Sequence, residues 1–84
     1  MTFYCYILEC SDGTYYTGWT TDLQRRVSQH NKGVGARYTR MRRPVKLVYV
    51  EPLPDKKTAM KRELKIKKMG RVGKSRLVEM KIKP

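Results

Sequence analysis

The sequence predicts an α+β fold: a three-stranded antiparallel sheet, made of an N-terminal hairpin plus one later strand, flanked by helices. Three observations carry this. Two aromatic and β-branched runs, Phe3–Glu9 and Thr14–Thr20, enclose the turn chemistry of Ser11-Asp12-Gly13. A third run, Val45–Val50, alternates and stops at Pro52, where a proline ends a strand. Helical spacing with capping residues fills Asp22–Asn31 and the segment that starts at Asp55. The 84 residues are expected to form one domain, 1–84, with a small core, because a chain of this size buries only roughly 60% of its extended surface.

The hairpin's loop length decides which side chains meet. A two-residue Asp12-Gly13 turn would pair Ser11 with Thr14 and put Tyr6 and Tyr16 on opposite faces. A three-residue loop pairs Cys10 with Thr14, places glycine at the left-handed third position that such loops require, and is preferred. In that register Tyr16 lies opposite Leu8 and Gly18 opposite Tyr6. The two tyrosines are then diagonal neighbours on one face, roughly 7 Å apart. Tyr15 goes to the other face with Cys5, Ile7 and Trp19, as ordinary packing.

The first helix carries Leu23 and Val27 at i and i+4, with Thr21 or Asp22 as cap and Gly33 beyond its end. Arg26 and His30 continue that stripe. Residues 32–44 read as a basic loop with room for a short helical turn. The strongest helix signal runs from the Asp55 cap through KKTAMKRELKIKKM to Gly70 as its stop. Residues 74–82 suit a short final helix through Leu77, Val78 and Met80.

Net charge is +13, from 20 Lys and Arg against 7 Asp and Glu, an excess that repels itself unless a polyanion neutralises it. Nucleic acid is the expected partner. The C-terminal third, with twelve basic and three acidic groups, is the expected phosphate-facing surface; the plainer alternative is a solvated basic face on an RNA-rich particle. No apolar run approaches the roughly 18 residues of a membrane span, and no signal peptide is apparent, so a cytoplasmic protein with no membrane partner is expected. Cys5 and Cys10 fall on one extended segment and cannot pair without breaking it. Two cysteines and one histidine exclude an ordinary zinc site within the chain.

Elimination among the seven carboxylates leaves one for chemistry. Asp12 belongs to a turn, Asp22 and Asp55 to helix starts, Glu9 and Glu51 to strand ends, and Glu79 to the exposed last helix. Glu63 remains. It interrupts the row Ala59, Glu63, Ile66 that faces the sheet beside Met60 and Leu64, where a carboxylate needs a cation, a donor or a metal. A structural salt bridge and a functional site are equally open there. Arg26 at the edge of its helix with its head in water, and His30 as a structural histidine, are the plain alternatives for those two residues. Yet Tyr6, Tyr16, Arg26, His30 and Glu63 all point toward the interface of hairpin and helices.

The ordered set Tyr4-Cys5-Tyr6, then Tyr16-Thr17-Gly18, then Asp22-Leu23-Gln24-Arg25-Arg26 with His30-Asn31, and finally Ala59 with Glu63, resembles the GIY-YIG nuclease superfamily, most closely its small stand-alone bacterial branch. The likeness covers nearly the whole chain. It implies a phosphodiesterase site with one divalent ion, Mg2+ or Mn2+, on Glu63. It also implies that Tyr6 and Tyr16 stand where the two motif tyrosines do, Arg26 as the helix arginine that grips phosphate and His30 as the histidine of some branches. Tyr6 is the candidate base and Tyr16 its positioning neighbour, although sequence alone leaves their roles interchangeable, because a free phenol's pKa near 10 suits neither.

The departures are Tyr4 and Cys5 for the first motif's Gly and Ile, and Thr17 for the second motif's Ile. Trp19 stands where repair members carry lysine, and the late asparagine of those members is missing. These predict slow turnover or help from a partner that supplies targeting. Two functions follow as expectations for a monomeric chain: an endonuclease acting on DNA, or a non-catalytic nucleic-acid-binding module on the same scaffold. In both, Arg37, Tyr38, Arg40, Arg42, Arg43, Lys61, Lys67 and Lys68 track the backbone, and Tyr38 stacks on an exposed base or is a surface or core aromatic.

Overall fold

The fold is that of a computed structural model, which describes residues 1–82. Strand β1 (Phe3–Glu9) and strand β2 (Tyr15–Thr20) form the hairpin; helix α1 (Leu23–Asn31) and the short helix α2 (Arg37–Arg40) follow; strand β3 (Lys46–Leu53) completes the sheet, and helices α3 (Lys56–Lys67) and α4 (Gly70–Ile82) close the chain. The sheet is antiparallel in the order β2-β1-β3.

The hairpin adopts the three-residue loop. Cys10 N–H donates to the Thr14 carbonyl at 2.8 Å, Gly13 takes φ +83°, and Leu8 pairs with Tyr16 and Tyr6 with Gly18. Asp12 fixes the turn by accepting from the Thr14 N–H at 3.1 Å and its hydroxyl at 2.6 Å. Both helix starts are capped as their sequences require: Asp22 accepts from Arg25 N–H and Asp55 from Thr58 N–H.

Because side chains alternate along β1, the sheet has two cores. Cys5 and Ile7 pack with Ile66 of α3, Val78 of α4, Tyr15 and Tyr49 on one face. Tyr6 and Leu8 pack with Cys10, Val45, Tyr16 and, from α1, Leu23 and Val27 on the other. The sheet is thus the middle layer, with α1 on the tyrosine face and α3 and α4 behind it.

Three expectations need correcting. β3 runs on past Pro52, which pairs with Tyr4, since β3 is an edge strand and a missing N–H can face solvent there. The last helix starts at Gly70 rather than at residue 74: Met69, Leu77 and Val78 pack on the Cys5–Ile7 cluster, and that burial outweighs the poor helix propensity of two glycines. Met60 and Leu64 are exposed at 46% and 58%, because α3 rolls Ala59 and Ile66 inward and turns those two to solvent.

Candidate active site

Tyr6 comes from β1, Tyr16 from β2, Arg26 and His30 from α1, and the sheet's tyrosine face brings them together. Tyr6 and His30 are fully buried. The Tyr6 hydroxyl lies 3.0 Å from His30 Nε2, and His30 Nδ1 lies 2.8 Å from the Thr39 hydroxyl of α2. With that hydroxyl assigned as donor to the Ala36 carbonyl at 3.1 Å, it accepts from His30. On this assignment His30 carries its proton on Nδ1 and offers a bare Nε2, to which Tyr6 donates. Tyr16 neighbours the same ring, with centroids 5.0 Å apart, and its own ring centre lies 6.0 Å from that of Tyr38. The two motif tyrosines meet through His30.

Electrostatics follow from burial. Desolvation pushes Tyr6 up to about 12, against the influence of Arg26, whose cation favours the phenolate; Tyr16 and Glu63 raise it further. Desolvation, then the charge of Arg26, brings His30 down to about 4. The folded protein therefore keeps His30 neutral while the unfolded chain protonates it near its ordinary value of about 6.5. With the unfolded state binding more protons, folding weakens as pH falls from about 6.5 to about 4, by up to about 3 kcal/mol, and is unaffected by this group above that window. Urea unfolding at pH 7 and pH 4.5 checks this: a slope that persists unchanged in His30→Asn contradicts it.

Arg26 is held by its surroundings without being used up. One Nη donates to Gln29 Oε1 at 3.1 Å and the other to the Gly35 carbonyl at 3.0 Å, out of five N–H donors. It forms one wall of an open cleft of about 290 Å³ lined also by Trp19, Thr20, Thr21, Asp22, Arg25 and Gln29. Lys56, at the start of α3, lies 5.7 Å from the Trp19 ring centre, so α3 borders this cleft from behind the sheet.

Two glycines make room for the site. A Cβ on Gly18 would stand 2.5 Å from Tyr6 Oη, and one on Gly35 would stand 2.7 Å from His30 Cγ and Nδ1. Neither buried ring has space to withdraw. Gly35→Ala is expected to cost about 1 to 3 kcal/mol of stability by overpacking and to displace the imidazole from Thr39, read by urea unfolding and by the His30 ring NMR signals. Wild-type values for both would refute this packing account.

Glu63 stands apart from the other four. It lies on α3, against the opposite face, half-buried, with Lys67 Nζ 3.7 Å from its carboxylate. Its charge nevertheless raises both Tyr6 and Cys5, neighbours that point to opposite faces of β1. The hairpin–α1 interface thus holds four of the five expected residues, and the fifth approaches from the other layer. Among the described residues no three His, Cys, Asp or Glu groups gather to hold an ion. A single carboxylate suits a small hard cation that keeps several waters and takes its remaining oxygens from phosphate.

The expected nucleic-acid residues divide. Arg37, Arg40, Lys61 and Lys68 are exposed. Arg42 is a structural staple: it pairs with Asp12 at 3.0 Å, donates to the Tyr38 carbonyl at 2.8 Å and lies 4.0 Å from the Tyr38 ring centre. Arg43 donates to the Arg40 carbonyl at 2.8 Å, and Lys67 faces Glu63. Sequence reasoning missed Thr39, Gly35 and Gln29, which hold His30 and Arg26. It also missed the use of Glu51, which accepts from Arg62 at 2.6 Å and Tyr49 at 2.8 Å behind the sheet.

Known proteins match this arrangement. The sequence model of the GIY-YIG catalytic domain covers residues 2–76. A UPF0213 protein of Halobacterium salinarum is 57% identical over 72 residues, 86% of this chain and 94% of its own length, and one of Syntrophus aciditrophicus is 52% identical over 90% of this chain and 88% of its own. The solution NMR structure of a UPF0213 protein from Bacillus halodurans superposes with a TM-score of 0.63 at 48% identity, covering 100% of this chain and 89% of that one. No helix among the described residues is long and apolar enough to cross a membrane. With most of its length matched by that domain and by close relatives, this chain belongs to the GIY-YIG family, a nuclease superfamily.

Proposed function

We propose that the chain is a divalent-metal-dependent endonuclease that hydrolyses phosphodiester bonds in nucleic acid, DNA before RNA. The observation that carries this reading is the buried chain from Tyr6 through His30 to Thr39, which gives the phenol a bare nitrogen to receive its proton. A phenol at about 12 holds almost no phenolate at neutral pH, so Tyr6 is useful as a base only if it releases one proton as it takes another. The relay supplies that. Attacking water gives its proton to Tyr6 Oη while the phenolic proton passes to His30 Nε2, and Thr39 holds the imidazole in the tautomer that permits it.

Arg26 keeps donors free for a non-bridging phosphate oxygen in the cleft at the end of β2. A phosphate there also offsets the cationic charge that lowers His30, so bound substrate makes His30 a better proton acceptor. Tyr16 buttresses the His30 ring. Glu63 would hold the Mg2+ or Mn2+ ion, which when bound supplies charge stabilisation to the phosphate and leaving oxygen. The chain acts as a cytoplasmic monomer of one domain, with a further protein supplying targeting.

The alternative, a non-catalytic nucleic-acid-binding module, draws on one observation: Glu63 sits on the far layer with Lys67 as a partner. Linear, nicked, flapped and four-way DNA, incubated with magnesium or manganese, separate the two. Cleavage of any of these by wild type that is lost in Tyr6→Phe supports the nuclease; binding of all with cleavage of none supports the module.

A further inference from the structure

Beyond the tyrosine site, the hairpin tip, α2 and the start of α4 enclose a second cavity of about 220 Å³, lined by Thr14, Tyr15, Tyr38, Gly70, Arg71 and Lys74. Its composition is selective: two aromatic rings, two cations and no carboxylate. Tyr38 is 38% exposed, although Arg42 covers part of its ring at 4.0 Å. Arg71 is anchored, with Nη1 donating to the Gly13 carbonyl at 2.7 Å and its guanidinium 5.6 Å from the Tyr15 ring centre. Lys74 is half-buried and repelled by Lys67. A cation kept there with no countercharge paired to it among the described residues gains from an arriving anion.

The cavity also adjoins the proposed catalytic residues. The Tyr38 ring centre lies 6.0 Å from that of Tyr16, tilted by 31°, and the Tyr16 ring centre lies 5.0 Å from that of His30, tilted by 59°. From this continuity we infer that the cavity is a subsite for one unpaired nucleotide next to the bond to be cut, with its base on Tyr38 and its phosphate between Arg71 and Lys74. This rests on the nuclease reading for its place beside the scissile bond, and on the cavity alone for its ligand. A blunt duplex keeps its bases stacked inside and presents none to Tyr38. The subsite therefore favours flaps, gaps and other DNA with single-stranded segments.

The test is equilibrium binding without divalent ions, using a single-stranded oligonucleotide carrying 2-aminopurine and a blunt duplex of the same sequence. Wild type and Tyr38→Phe are expected to bind the single strand more tightly and to quench the probe. Tyr38→Ala loses the quenching and about 5- to 100-fold in affinity, as the loss of one base stack does. Lys74→Gln weakens binding and lowers the slope of log K against log salt by about 0.7. Thermal unfolding of each variant separates lost contact from lost fold. Equal affinity for both DNAs, or quenching and salt slope retained by folded Tyr38→Ala and Lys74→Gln, overturns the inference. The assay needs no cleavage: quenching by a chain that cuts nothing removes the nuclease and keeps the subsite, whereas cutting with unaltered binding in these variants does the reverse.

Discussion

On the proposed nuclease reading, Tyr6→Phe is expected to lower metal-dependent cleavage by about 10²- to 10⁴-fold, the range of a lost general base, while affinity for the same DNA is expected to change less than about threefold. The substitution removes one oxygen and leaves the ring that fills the core between Leu8 and His30. It also leaves His30 Nε2 buried without a donor, so a stability loss of about 1 to 3 kcal/mol accompanies it. Single-turnover rates with a flapped or four-way DNA, together with urea unfolding, separate these effects. Cleavage in the folded variant equal to that of wild type would assign the activity to a contaminant or to another base. Tyr16→Phe provides the contrast: its ring contacts to His30 and Tyr38 survive, so a much smaller loss is expected.

On the proposed nuclease reading, Glu63→Gln is expected to abolish magnesium-dependent cleavage, with a loss of at least about 10³-fold, because a neutral amide holds a hard cation far more weakly than a carboxylate does and the phosphate then lacks the cation that would offset its charge. Folding survives. The Lys67 contact it loses is a long i,i+4 pair across partly exposed groups, a class that contributes about 0.3 to 0.5 kcal/mol. A direct readout is paramagnetic broadening by Mn2+ of NMR signals from α3 and β1: wild type is expected to show it and Glu63→Gln to lack it. Broadening retained in the variant places the ion elsewhere and returns Glu63 to a structural role.

What could be read in the sequence beforehand was whatever depends on local chemistry. Gly13 needs a left-handed backbone, which selected the three-residue loop, and the loop length put Tyr6 and Tyr16 on one face. Asp22 and Asp55 announced helix starts because a short acceptor side chain reaches forward to the unpaired N–H groups of the first turn. The illegible parts depend on distant packing. Thr39 sits on a four-residue helix within a basic loop, and nothing local marks its hydroxyl as the clamp on His30. Gly35 falls within the basic loop of residues 32–44 and nothing local marks it, but the imidazole lies where its Cβ would be. Met60 and Leu64, read as flanking the sheet-facing row of Ala59, Glu63 and Ile66, lie exposed because α3 packs close along that row alone. Arg42 counted as one more phosphate-seeking cation, because only the fold brings Asp12 beside it across 30 positions.

Glu63 marks the limit most sharply. Its spacing on the helix identified a carboxylate out of place but not which layer would carry it. The sheet separates it from α1, and the link to the tyrosine face is the charge it exerts on Tyr6. Lys56 over Trp19 brings the start of α3 to the cleft that Arg26 borders, whereas Glu63, two turns further along α3, is not among the residues that line it.

The central claim is that Tyr6 and His30 act as one proton path, and a double-mutant cycle on cleavage rate tests it most directly. Wild type, Tyr6→Phe, His30→Asn and the double variant are compared under single-turnover conditions on one cleavable DNA, after each is confirmed folded. Asparagine keeps a donor toward Thr39 and removes the acceptor that Tyr6 uses. The relay predicts that the double variant is no slower than the slower single variant. Losses that multiply, or a His30→Asn protein as fast as wild type, would show that the phenol gives its proton to something else.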